Sequence, residues 1–224
     1  MFEVKFKVSP SIIEKLRKKH CDSCKTCNGK RLVFIEGKEQ KCQCVLNFNK
    51  EYDLYALNVP PKFHGLSRED IDPNFIEQNG DMKYILQYDK KLDDAYKRGT
   101  GLFVCGTNGS GKSFIATLIL RHAARKGYTG YFILQRDLIN VAFEAMYNAE
   151  VREDLEKLIT EIDFLIIDEI DKLFIDNDDK VQNLLEALLK KRSYSSKPLI
   201  VTSNQSMQDL PYTLGQTIVA AFEE

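Results

Sequence analysis

From residue 102 onward, short apolar runs alternate with longer stretches whose apolar residues recur every three to four positions. LFVC (102–105), YFIL (131–134), FLIID (164–168) and LIVTSN (199–204) each open on a continuous apolar run and are too short to be amphipathic helices. They read as strands buried on both faces. Between them the helical period predicts a helix from Ser113 to Lys126, closed by Gly127. A helical region capped by Asp137 should run to Ile159 with a break near Asn148, and another helix should span Val181–Lys191. Strands alternating with helices predict a parallel sheet covered on both faces, the α/β class. One more helix is expected from Met82 to about Arg98, stopped by Gly99.

Before residue 82 the pattern changes. Ser9–His20 reads as a short helix with Ser9 as N-cap, Pro10 in the first turn and Ile12, Ile13 and Leu16 on one face. A cysteine-rich segment follows, with a strand-like LVFI and a turn at Glu36-Gly37-Lys38. Residues 55–81 hold three of the six prolines, and Pro60-Pro61 opposes regular helix. The expected organisation is a small module over 1–54, a proline-containing linker over 55–81 and a core over 82–224, enough chain for one full core and an appended module.

Charge sharpens this division. The whole chain of 224 residues is nearly neutral, with 32 Lys+Arg against 33 Asp+Glu, yet the first fifty residues are strongly basic. A basic module suits nucleic acid, an acidic protein surface, or simply solubility. No apolar run is long enough for a membrane helix, and MFEVKFKVSP is not a signal peptide, so a cytoplasmic location is expected.

The chemistry sits at the carboxyl ends of the predicted strands. GTNGSGKSF, Gly106–Thr107–Asn108–Gly109–Ser110–Gly111–Lys112–Ser113–Phe114, follows one strand and opens a helix. It fits G-x-x-x-x-G-K-[ST], whose main-chain N–H groups form an anion nest reinforced by the helix dipole. Lys112 is expected to reach the outer phosphates and Ser113 to ligate magnesium. Asp168 and Glu169 close FLIIDE; Asp168 is expected on magnesium and Glu169 as the base for the attacking water. Together these motifs predict hydrolysis of a nucleoside triphosphate. Asn204, at the tip of the last strand, can hydrogen-bond the water or the terminal phosphate.

Five of the six cysteines lie between Cys21 and Cys44, while Cys105 is expected as a small core residue. Cys24-x-x-Cys27 and Cys42-x-Cys44, separated by fourteen residues, offer four thiolates for a tetrahedral zinc. Gly29 favours Cys24–Cys27 as the first pair. Cys21-x-x-Cys24 and, more weakly, His20 remain alternatives. Zinc would stand in for the core that so short a module cannot build.

The glycine loop, the DE pair and the strand ending in Asn204 resemble the AAA+ ATPases. More narrowly, residues 55–214 resemble the bacterial and phage DnaC/DnaI helicase loaders and their IstB transposition relatives. The similarity lies in NVPPKFHGLSREDID, YFILQRDLINVAF and RSYSSKPLIVTSNQ. The resemblance implies a P-loop AAA+ core, ATP with magnesium, Asn204 as the sensor, assembly into rings or spirals, and contact with single-stranded DNA. The cysteine module resembles the zinc-bearing amino-terminal domains of such loaders, which dock on a hexameric replicative helicase. The implied function is ATP-dependent helicase loading, with an IstB-type transposition ATPase or a nucleotide-binding adaptor of little turnover as alternatives. Two departures stand out. No arginine follows Arg192 to serve as the family's arginine finger, and the fifth core strand is not evident, as though the carboxyl end were shortened. Either the chain is shortened or it depends on another subunit for the arginine, and weak turnover by the chain alone is expected; Arg192 itself is open between matching a family arginine and being a solvated helix-end charge.

Overall fold

The computed structural model describes residues 8–71, 80–171, 179–206 and 208–209. These divide into two compact units, with the division between His64 and Gly65.

The first unit opens with α1 (Pro10–Arg17), whose N-cap Ser9 accepts a hydrogen bond from the Ile12 N–H. The helix is one turn shorter than its apolar pattern predicts, because Lys18–Asp22 widen into a π turn that swings Cys21 inward. An antiparallel hairpin pairs β1 (Leu32–Ile35) with β2 (Lys38–Lys41), Leu32 opposite Lys41 and Ile35 opposite Lys38. Its two-residue connection has Glu36 and Gly37 both at positive φ, the turn whose twist matches that of the strands. Then α2 (Gln43–Ala56) starts directly after Cys42; Leu54 is buried in its last turn, and Leu57 and Val59 are buried just beyond its end. His64 closes the unit by donating from Nε2 to the Val59 carbonyl (2.8 Å), with its ring edge-on to Tyr55. Within the stretch read as linker, Pro61–Phe63 and Arg68–Asp70 form short 3-10 turns; residues 72–79 lie outside the described residues.

In the second unit the expected helix before the first core strand is two: α3 (Gly80–Lys90) and α4 (Leu92–Arg98), interrupted at Lys91. Gly99 ends α4 with φ 68°, and a Cβ there would lie 2.9 Å from the Ser196 main chain. Only glycine therefore meets both the left-handed cap and the close approach. Next come β3 (Leu102–Cys105), α5 (Lys112–Arg125), β4 (Gly130–Leu134), α6 (Gln135–Ala145), α7 (Ala149–Thr160), β5 (Phe164–Asp168), α8 (Asp179–Tyr194) and β6 (Leu199–Ser203).

The four strands form one parallel sheet in the order β3-β6-β5-β4. Central β5 is buried along its whole length, as its uninterrupted apolar sequence requires. Helix α5 turns Ile115, Ala116, Ile119, Leu120 and Ala123 into the core, one helical stripe. Two local readings are corrected. Asp137 is not a cap but lies in the first turn of α6, which begins at Gln135; Asn148 is the cap, accepting from the Glu150 and Val151 N–H groups to start α7. Cys105 is not a core residue but exposed, because β3 is the edge of the sheet among the described residues. The expectations about a fifth strand and a later arginine fall after residue 209, outside the described residues.

Candidate nucleotide and metal sites

All three motifs of the second unit meet at the carboxyl edge of its sheet, the edge where parallel α/β folds bind ligands. The loop from Gly106 to Gly111 links β3 to α5. Gly106, Gly109 and Gly111 all have positive φ (153°, 79° and 84°), and a Cβ on Gly106 would meet the Ser110 hydroxyl at 3.0 Å. The Gly106 N–H donates to the Ser203 carbonyl, tying the loop to β6. Thr107, Asn108 and Gly109 form an exposed tip, while Ser113 and Phe114 lie in the first turn of α5 and are half-buried.

Lys112 is buried, and its Nζ donates to the carbonyls of Gly106 (2.8 Å) and Thr107 (2.8 Å) and to Asn204 Oδ1 (3.1 Å). A buried ammonium is tolerable only when so surrounded by oxygen. Its three acceptors are neutral, so the cation is solvated but not neutralised, and the glycine loop around it fits an anion. These residues fit the phosphates of a nucleotide.

Asp168 ends β5 buried, and Thr202 on β6 donates its hydroxyl to Asp168 Oδ1 (2.5 Å). The same Thr202 oxygen accepts the Glu169 N–H (3.0 Å), and the Thr202 carbonyl accepts the Ile170 N–H (3.0 Å). Glu169 adopts φ 59°, a left-handed conformation that a non-glycine residue holds at a cost of order 1 kcal/mol. The two bonds to Thr202 fix that turn. Asn204, just past β6, donates its main-chain N–H and its Nδ2 to the two oxygens of Asp171 (2.9 and 3.0 Å). Lys112 is thus bonded directly to Asn204, while Asp168 and Glu169 are both bonded to Thr202, two residues before Asn204 on the same strand end. Sequence reading missed Thr202 and Asp171. The one signal for Thr202 was a hydroxyl directly after the apolar run Leu199–Val201; for Asp171 it was a third acid three residues after Asp168.

Arg192 is not a surface charge. It is 1% exposed and donates to the carbonyls of Ile159, Ile162, Asp163 and Pro198 at 2.6–3.0 Å. Burial draws its guanidinium down to about 9, leaving it cationic at neutral pH.

In the first unit the Sγ atoms of Cys24, Cys27, Cys42 and Cys44 all lie within 4.8 Å of one another. The separations Cys24–Cys42 (3.7 Å) and Cys27–Cys44 (3.6 Å) match the edge of a tetrahedron with metal–sulfur bonds of about 2.3 Å. They are far longer than the about 2 Å of a disulfide. The thiols themselves form a buried core cluster, with Val33, Val45 and Phe48 packed against it. Main-chain N–H groups of Cys27 and then Thr26 draw the Cys24 thiol down to about 6 against the opposing effect of burial, whereas burial pushes Cys44 up. The Arg31 N–H donates to Cys27 Sγ (3.3 Å). So dry a cluster ionises fully only around a cation, and four sulfurs in this geometry fit zinc. Cys21 is buried beside them but points its sulfur at the Cys44 carbonyl, and His20 is engaged by Glu51 (2.6 Å).

The sequence profile of the IstB-like ATP binding proteins matches residues 69–222. The chain belongs to this family. No curated protein matches it significantly. Among solved structures, the DnaC helicase loader is similar with a TM-score of 0.64 and 22% identity, over 73% of this chain and 95% of that one. DnaI follows with 0.59 and 18%, over 74% and 90%. The replication initiator DnaA bound to AMPPCP and single-stranded DNA has 0.54 and 17%, over 69% and 49%. At these identities the likeness is one of fold. This IstB-like chain has an AAA+ P-loop ATP-binding domain preceded by a four-cysteine module.

Proposed function

We propose that this IstB-like protein is an ATPase that loads a replicative helicase ring onto DNA. The observation that carries the enzymatic half is the convergence of Lys112, Asp168–Glu169 and Asn204 on one sheet edge, joined through Thr202 and Asp171. The Gly106–Ser113 loop and Lys112 bind the phosphates of ATP. Ser113 and Asp168 hold magnesium, which when bound offsets phosphate charge. Glu169 takes the proton from the attacking water, and Asn204 orients that water or the terminal phosphate.

The loading half is supported by the fold shared with DnaC and DnaI and by the basic four-cysteine module in front of the ATPase core. In this reading zinc on Cys24, Cys27, Cys42 and Cys44 shapes the surface that grips a hexameric helicase. The core self-associates on it and contacts single-stranded DNA. Turnover by the chain alone is weak in this reading: Arg192 is committed to four carbonyls and is not available as a finger, which another subunit would supply. The family profile also favours a second reading, a transposition ATPase that binds duplex DNA and a transposase. A capture assay with purified hexameric helicase, and ATP turnover with and without it, tests the proposal. Capture with stimulated turnover supports it. Binding of duplex DNA and transposase without helicase capture supports the second reading, and neither partner with negligible turnover leaves a nucleotide-binding adaptor.

A further inference from the structure

The carboxylate of Asp171 belongs to none of the phosphate-loop, DE-pair or sensor motifs, yet it makes the two shortest polar contacts of Asn204. Its Oδ1 accepts the Asn204 main-chain N–H at 2.9 Å and its Oδ2 accepts the Asn204 Nδ2–H at 3.0 Å. The third contact, Lys112 Nζ to Asn204 Oδ1, is 3.1 Å. This arrangement determines which way the amide faces. Were it rotated by half a turn, Oδ1 would confront the carboxylate and the NH₂ group would confront the ammonium, and both contacts would become repulsive. The carboxylate is itself placed by the turn after β5, where Glu169 takes φ 59° and Glu169 and Ile170 are both bonded to Thr202.

We propose that Asp171 is a positioning residue for ATP hydrolysis: it locks the Asn204 amide with its oxygen toward the phosphate loop and one N–H turned away. The inference rests on the ATPase reading above. Two consequences follow. The group Asn204 presents to the loop is a hydrogen-bond acceptor, suited to the Lys112 ammonium or to a proton of the attacking water. The carboxylate also makes the sensor and the DE pair one rigid piece, since Asp171 lies two residues from Glu169. Asp171 therefore acts through Asn204, on the transition state more than on nucleotide affinity.

The test is steady-state ATP turnover by the full chain with helicase and single-stranded DNA, comparing Asp171→Ala, Asp171→Glu, Asn204→Ala and the Asp171→Ala/Asn204→Ala pair. Removing a residue that orients a reacting group typically costs about 10- to 100-fold. We expect Asp171→Ala to lower kcat by that factor with KM for ATP within about threefold. The double variant should be no worse than Asn204→Ala alone, and Asp171→Glu should recover part of the loss. The side-chain NH₂ resonance of Asn204 should move in Asp171→Ala, which a merely structural role elsewhere would not cause. Parent-like kcat in Asp171→Ala, or losses that multiply in the double variant, would overturn this inference alone. An inactive parent under all conditions would instead remove the ATPase reading beneath it.

Discussion

Lys112 shows how one side chain can be both buried and charged. Its three oxygen partners satisfy the ammonium without cancelling its charge, and two of them are carbonyls of the glycine loop proposed to receive phosphate. Lys112→Ala should leave the fold intact and weaken ATP binding by about 100-fold or more, equivalent to two charge-assisted hydrogen bonds at roughly 1.5 kcal/mol each. Titration calorimetry reads this directly, and parent-like affinity would remove the phosphate-loop assignment. Glu169 should divide the other way. A general base contributes about 10²- to 10⁴-fold, mainly in the transition state. Glu169→Gln should therefore bind ATP like the parent and lose turnover by that factor in a phosphate-release assay. Turnover at the parental rate would assign the base elsewhere.

At the scale of elements, the strands and the motifs at their ends were legible because both depend on local rules. A four-residue apolar run has one way to be buried in a parallel sheet, and a glycine loop between strand and helix has one common use. What local rules left out were the long-range polar links. Thr202 on β6 finds Asp168 and Glu169 on β5 only once the strands are neighbours. The role of Arg192 stayed open in the sequence, because nothing there reveals four carbonyls converging from residues 159, 162, 163 and 198. Cys105 read as core for the complementary reason: LFVC gives no sign that its strand is an edge. The Arg192 cluster fastens the end of α8 to the segment between α7 and β5. Arg192→Met would take a donor from four carbonyls, of which that of Pro198 keeps the Leu165 N–H, at a cost of about 3 to 5 kcal/mol. That corresponds to a fall in Tm on the order of 10 °C for the ATPase unit. Arg192→Lys should recover little, since one ammonium cannot reproduce the guanidinium fork. Calorimetric Tm values check both variants, and a near-parental Tm for Arg192→Met would show that the cluster is not structural.

For the whole molecule, the two units are stabilised by different means. The Gly65–Glu224 unit has a conventional apolar core around β5, whereas the Lys5–His64 unit gathers its cysteine thiols into a core cluster and adds only a few buried aliphatic side chains such as Leu16 and Leu54. Removing metal with a chelator should therefore unfold the first unit and leave ATP binding intact. Hydrogen exchange would show protection lost in residues 8–64 alone. Uniform protection in metal-free protein would mean that the cysteines pack without zinc. The claim that unites the units is that the cysteine module delivers an ATPase to a helicase ring. Mass photometry of the full chain mixed with purified hexameric replicative helicase and ATP addresses it most directly. The account predicts a complex heavier than the hexamer that disappears when zinc is removed while ATP binding persists. A helicase hexamer whose mass does not change, with zinc and ATP both bound to this protein, would contradict it.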